Sequence, residues 1–112
     1  MILEAAPLKI RQGQAALFEA AFKEAQKIIA ASPGYIAHEL QRCLENDDEY
    51  LLLVRWESRE AHETGFRLSA AYESWRQLLH HFYDPFPVVL HYEGVDGAAG
   101  ARNRDSVRPA TP

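Results

Sequence analysis

The chain has 112 residues, 47% of them hydrophobic and 25% charged, which provides for one packed core and not for two. Sixteen acidic residues against twelve basic ones leave a net charge of -4, so there is no basic field to hold a nucleic-acid backbone. A lone cysteine, Cys43, excludes an internal disulfide framework, no apolar run approaches the roughly 20 residues that cross a bilayer, and Met1-Ile2-Leu3-Glu4 lacks the basic start of a signal peptide, so a cytoplasmic chain without nucleic-acid or membrane partners is expected.

Ile2 to Ile10 has the alternation of a strand, with Pro7 pointing to a bulge or an edge contact. From Gly13 to Ala31 the period becomes helical: Phe18, Ala21, Phe22, Ala25, Ile28 and Ile29 form one stripe, while Glu19 and Lys23 suit a solvent-side pair. Ser32-Pro33-Gly34 stops that helix. Tyr35 to Leu44 alternates again, with Ile36, His38, Leu40, Arg42 and Leu44 on one face and Tyr35, Ala37, Glu39, Gln41 and Cys43 on the other. The polar turn Glu45-Asn46-Asp47-Asp48 returns the chain into Leu51-Leu52-Leu53-Val54-Arg55-Trp56, making a hairpin. One pairing sets Leu40 opposite Val54 and His38 opposite Trp56; a slip of one residue would swap the faces.

Both faces of this last strand are apolar: Leu51 and Leu53 point one way, Leu52, Val54 and Trp56 the other. Ser58 caps a helix from Arg59 to about Phe66, and Ser69 caps a second from Ala70 to Phe82, on which Tyr72, Trp75, Leu78, Leu79 and Phe82 recur at helical spacing. Asp84-Pro85-Phe86-Pro87 links to a closing strand, Val88 to Tyr92. Residues 1–93 thus form the domain, and the Gly-, Ala-, Arg- and Pro-rich segment 94–112 is expected to be a flexible or partner-ordered tail. The order β, α, β, β, split α, β predicts an α+β, ferredoxin-like fold, a four-stranded antiparallel sheet with both helices on one face. The helices cover only one side, so the opposite face calls for a second copy packed sheet to sheet.

His38 and Arg42 are a polar couple on an otherwise apolar strand face. Either they are satisfied by a salt bridge or hydrogen bond, to Glu57 or a helix end, or they line a cavity in which Arg42 holds a phenolate or carboxylate and His38 is the base. His62 shares a helix face with Phe66; it is either an exposed helix residue or a group at the mouth of that cavity near Trp56. Trp56, Phe66, Tyr72 and Trp75 are either core or the walls of an aromatic-substrate pocket. Adjacent His80 and His81 diverge by about 100° on a helix and do not make a metal site, and no glycine-rich phosphate loop is present. No metal or cofactor is expected.

Trp56-Glu57-Ser58-x-Glu60-Ala61, followed by His62 and Phe66, then Ser69-x-x-Tyr72 and a closing strand, resembles the antibiotic biosynthesis monooxygenase domain over roughly Leu3 to Tyr92. The resemblance implies a homodimer of the dimeric α/β-barrel superfamily. It also implies oxygenation of a small phenolic or quinol-like molecule without metal, flavin or haem. The Asn, Trp and His of haem-degrading members have no counterparts here: Ile2 to Ile10 lacks an Asn, the Trp falls near Gly65 or Phe66, and the His near Trp75 or Arg76. Two alternatives use the same fold, a binding or accessory domain without turnover and another superfamily reaction such as isomerisation or decarboxylation.

Overall fold

The computed structural model describes residues 1–102. Strands β1 (Ile2–Lys9), β2 (Tyr35–Arg42), β3 (Glu49–Trp56) and β4 (Leu90–Tyr92) form one antiparallel sheet in the order β2-β3-β1-β4. Helices α1 (Ala15–Ala30) and α2 (Ala70–Leu79) cover one face, with a π-helical turn, Ala61–Phe66, before α2 and a 3-10 turn, His80–Phe82, after it. This is the expected ferredoxin-like arrangement. Segment 94–102 is exposed and holds no helix or strand; the rest of the expected tail, 103–112, lies outside the described residues.

Alternation decides which side chains meet the helices. Glu4, Ala6 and Leu8 of β1 and Tyr50, Leu52, Val54 and Trp56 of β3 are buried beneath them. The α1 stripe supplies Phe18, Phe22, Ala25 and Ile29, and α2 supplies Trp75 and Leu79. On the other face, Leu53 of β3 pairs with Ala5 of β1, which pairs with Leu90 of β4, and Leu51, Leu90 and Tyr92 remain exposed. A row of this kind has no cover among the described residues.

Several local expectations are corrected. Pro7 makes no bulge; it pairs with Leu51 in an unbroken β1–β3 ladder, two residues beyond the last residue that β4 pairs, where a missing N–H leaves nothing unpaired. The β2–β3 hairpin sets His38 opposite Val54 and Leu40 opposite Leu52, a two-residue shift that keeps the faces. A bulge between Tyr35 and Ala37 then moves Tyr35 to the His38 side and leaves Ile36 exposed. Glu19 turns from Lys23 to accept from Arg42 and from the Tyr50 hydroxyl, two donors whose combined pull exceeds that of a solvated i,i+4 lysine.

Candidate active site

A cavity of about 320 Å³ lies between the sheet and the segment from His62 to Val89. Its floor is Glu4, Ala6 and Leu8 with Leu52; Phe66, Tyr72 and Trp75 form the aromatic wall; Phe86, Pro87 and Val89 rim the opening. The volume matches the small end of known ligand pockets.

The π-helical turn sets the polar side of this space. Ser58 Oγ accepts the Ala61 N–H at 3.1 Å, and the Arg67 N–H reaches the His62 carbonyl, five residues back, at 3.0 Å. On a regular α-helix residues five apart diverge by about 140°. The wider closure lets His62, Phe66 and Arg67 all face the cavity. Ser69 Oγ caps α2 by accepting the Tyr72 N–H, which fixes the Tyr72 and Trp75 wall.

Glu4 is the chemical centre. It is 4% exposed, and its Oε1 accepts the Trp56 indole N–H at 2.9 Å and lies 3.3 Å from His62 Nε2. Among the described residues Oε2 makes no hydrogen bond and no fully buried side-chain oxygen lacks a partner, so Oε2 keeps some exposure on a residue that lines the cavity. Burial pushes the Glu4 carboxyl above its ordinary value, against the opposing effects of the Trp56 hydrogen bond and the Arg67 charge. Burial pushes the His62 imidazole down to about 3, helped by Arg67 and His91. His62 is therefore neutral at physiological pH, stacked on the Trp56 ring at 5.4 Å. A buried carboxyl whose affinity for its proton is raised, set beside a neutral imidazole, has the makings of a general acid or base.

Among the described residues, Arg67 is the only arginine or lysine in the lining, and it makes no ion pair with any of them. It is thus free to compensate an anion. Burial also raises the Tyr72 and Tyr83 phenols and lowers the His80 imidazole, which keeps these lining groups neutral.

Of the residues singled out from sequence, His62, Phe66, Tyr72 and Trp75 come together in this cavity. His38 and Arg42 do not join them, which corrects the expected common pocket. His38 faces α1: its Nδ1 meets the Tyr35 hydroxyl and its Nε2 lies 2.9 Å from Gln26 Oε1, the satisfied arrangement that alternation alone left open. Arg42 lies in a separate shallow hollow with Glu19 and Tyr50, paired to Glu19 rather than Glu57. Trp56 is fully buried beneath the site and touches it through Glu4 and His62, not as a wall. Glu4 was missed although its signal was present, a carboxylate sharing an alternating face with Ile2, Ala6 and Leu8. Arg67 had no signal, because the π closure that aims it is not legible in residue spacing.

No group of three or more His, Cys, Asp or Glu among the described residues is placed to hold a metal ion. No helix among them is long and apolar enough to cross a membrane.

The model of the antibiotic biosynthesis monooxygenase family matches residues 1–77. An uncharacterized protein of Bacillus subtilis (strain 168), YczJ, is 50% identical over 95 residues, which is 85% of this chain and all of that protein. A solved structure from Bordetella bronchiseptica assigned to the same family superposes with a TM-score of 0.81 at 32% identity, covering 84% of this chain and 96% of that one. SnoaB of Streptomyces nogalater, a cofactor-independent oxygenase, has the same fold, with a TM-score of 0.75 at 16% identity over 88% of this chain and 97% of its own.

Proposed function

Because the chain belongs to the antibiotic biosynthesis monooxygenase family, we propose that it is a cofactor-independent monooxygenase of a small phenol or quinol, acting as a homodimer from the cavity above Glu4. The observation that carries this reading is the buried Glu4 carboxylate, its Oε2 without a hydrogen bond among the described residues, lining an aromatic-walled cavity that also holds Arg67.

The chemistry follows from that set. Ionised Glu4 takes the hydroxyl proton of a phenol at Oε2, and the Arg67 guanidinium offsets the phenolate charge. The phenolate is a strong enough reductant to pass electrons to molecular oxygen, forming a carbon–oxygen bond and a peroxide anion on the ring carbon. Glu4 returns the proton to the peroxide, and loss of water leaves a quinone: one oxygen atom enters the product and the other leaves as water. Phenol plus oxygen gives quinone plus water, with no external reductant. Phe66, Tyr72 and Trp75 hold the ring, while Trp56 and His62 hold Oε1 so that Oε2 points at the substrate. The unroofed row of Leu53 and Leu90 supports the homodimer, since apolar surface left wet forfeits roughly 25 cal/mol per Å².

Oxygen uptake on mixing the full-length protein with a panel of naphthols, dihydroxynaphthalenes and benzoquinols tests the reading. Uptake with quinone formation, lowered about 100-fold or more in Glu4→Gln, is expected. Binding without uptake, or equal uptake by Glu4→Gln, would count against it and favour a binding protein.

A further inference from the structure

Building on the proposed function, we infer that Glu4, His62, His91 and Glu63 form a proton relay that keeps the cavity floor in contact with solvent while a bound aromatic fills the cavity. The positions are set by the sheet. Glu4 and His91 are cross-strand partners in the β1–β4 ladder and point to the helix side, and His62 stands over both. His62 Nε2 lies 3.3 Å from Glu4 Oε1, and His62 Nδ1 lies 2.8 Å from His91 Nε2. His91 Nδ1 lies 3.6 Å from Glu63 Oε1, longer than a direct hydrogen bond, at a carboxylate whose side chain is 38% exposed and which Arg59 holds at 2.9 Å. From cavity to solvent each step is therefore one ring or one short gap.

Two imidazoles that bond nitrogen to nitrogen leave one donor and one acceptor at each joint, so the pair has two complementary tautomer states. In the first, protonated Glu4 donates to His62 Nε2, His62 Nδ1–H donates to His91 Nε2, and His91 Nδ1–H faces Glu63. One outward pass moves a proton across each joint and ends in the second state, with ionised Glu4 accepting from His62 Nε2–H and His62 Nδ1 accepting from His91. An inward pass restores the first. Whenever Glu4 loses a proton to solvent and later regains one, the two events use one pass each way and return every ring to its starting tautomer. His62 and His91 are thus positioning and conducting residues, and neither touches substrate in order to act.

The pair His91→Ala and His91→Gln tests this on the full-length protein with 1,4-dihydroxynaphthalene as substrate. In both variants kcat is expected to fall about tenfold or more with KM unchanged. Added imidazole should restore kcat in His91→Ala, which leaves room for it, and leave the parent and surface His81→Ala unaltered. Unchanged kcat in both variants, or a loss that imidazole does not restore, overturns the relay. If the parent takes up no oxygen, the proposed function has failed, and the relay is read by itself from solvent exchange of the His62 Nε2 proton by nuclear magnetic resonance. A slowing of about tenfold in His91→Gln is expected there, and an unchanged rate overturns it.

Discussion

The indole N–H of Trp56 donates to Glu4 Oε1 at 2.9 Å, joining the end of β3 to β1 beneath the cavity. The bond gives a buried carboxylate a permanent donor. Trp56→Phe removes the donor while keeping an aromatic ring, so the protein should lose about 1 to 3 kcal/mol in urea unfolding. The Glu4 carboxyl should also titrate higher, because this bond is the main influence opposing burial. An unchanged midpoint would mean the indole only fills space.

The Glu4 and His62 pair gives stability two opposing dependences on pH. Glu4 titrates above 4.5 when folded, so from 4.5 up to its raised value the unfolded chain releases a proton that the folded one keeps, and stability falls as pH rises. His62 goes from 6.5 unfolded to about 3 folded, so over that span the unfolded chain binds the extra proton and stability falls as pH drops. Each slope reaches about 1.4 kcal/mol per pH unit at most. Urea midpoints near pH ~7 and ~5 should therefore drop more on acidification in Glu4→Gln than in the parent, and less in His62→Gln. Equal drops in all three would contradict these shifts.

Arg67 has no carboxylate partner among the described residues, so its removal should spare the fold. Arg67→Gln is expected to raise KM for an ionisable phenol by roughly 10- to 100-fold, the worth of one charge-assisted hydrogen bond, and to leave the thermal midpoint where it was. An O-methylated analogue, which forms no anion, should bind both proteins alike when displacement is measured by fluorescence.

Gly34 has a φ of 84°, and a Cβ there would stand 2.6 Å from the Ala61 Cβ. Its carbonyl also accepts the Glu57 N–H at 2.8 Å. Gly34→Ala should destabilise the protein by about 1 to 3 kcal/mol and displace the π-helical turn. Activity would then fall beyond what lost stability explains, read as kcat on the remaining folded fraction. Full activity would show that the turn holds its place without this contact.

Leu53 sits mid-sheet between Glu39 and Ala5 on the face without helices. Leu53→Lys places a charge in the middle of the proposed subunit contact, and sedimentation should move from dimer to monomer with the far-ultraviolet spectrum retained. A parent protein that already sediments as a monomer would remove the dimer from the proposal.

The fold was legible in the chain because its signals are local: alternation in Leu51 to Trp56, the Phe18 to Ile29 stripe, and the caps Ser58 and Ser69 each depend on neighbours a few residues away. His62, Phe66, Tyr72 and Trp75 could be gathered for the same reason, since two consecutive helical segments carry them. The site's acid, its cation and its route to solvent depend on longer distances. Glu4 meets Trp56, His62 and His91 across 52, 58 and 87 positions of sequence, and only strand order puts β1 between β3 and β4. Arg67 joins them through a π closure that changes which side of a turn a residue faces, while pairing with Val54 sets His38 beneath α1 and a bulge brings Tyr35 to it. Pattern fixes which faces are oily; where charges meet is decided by register and helix pitch, which shift by one residue at no visible change in composition.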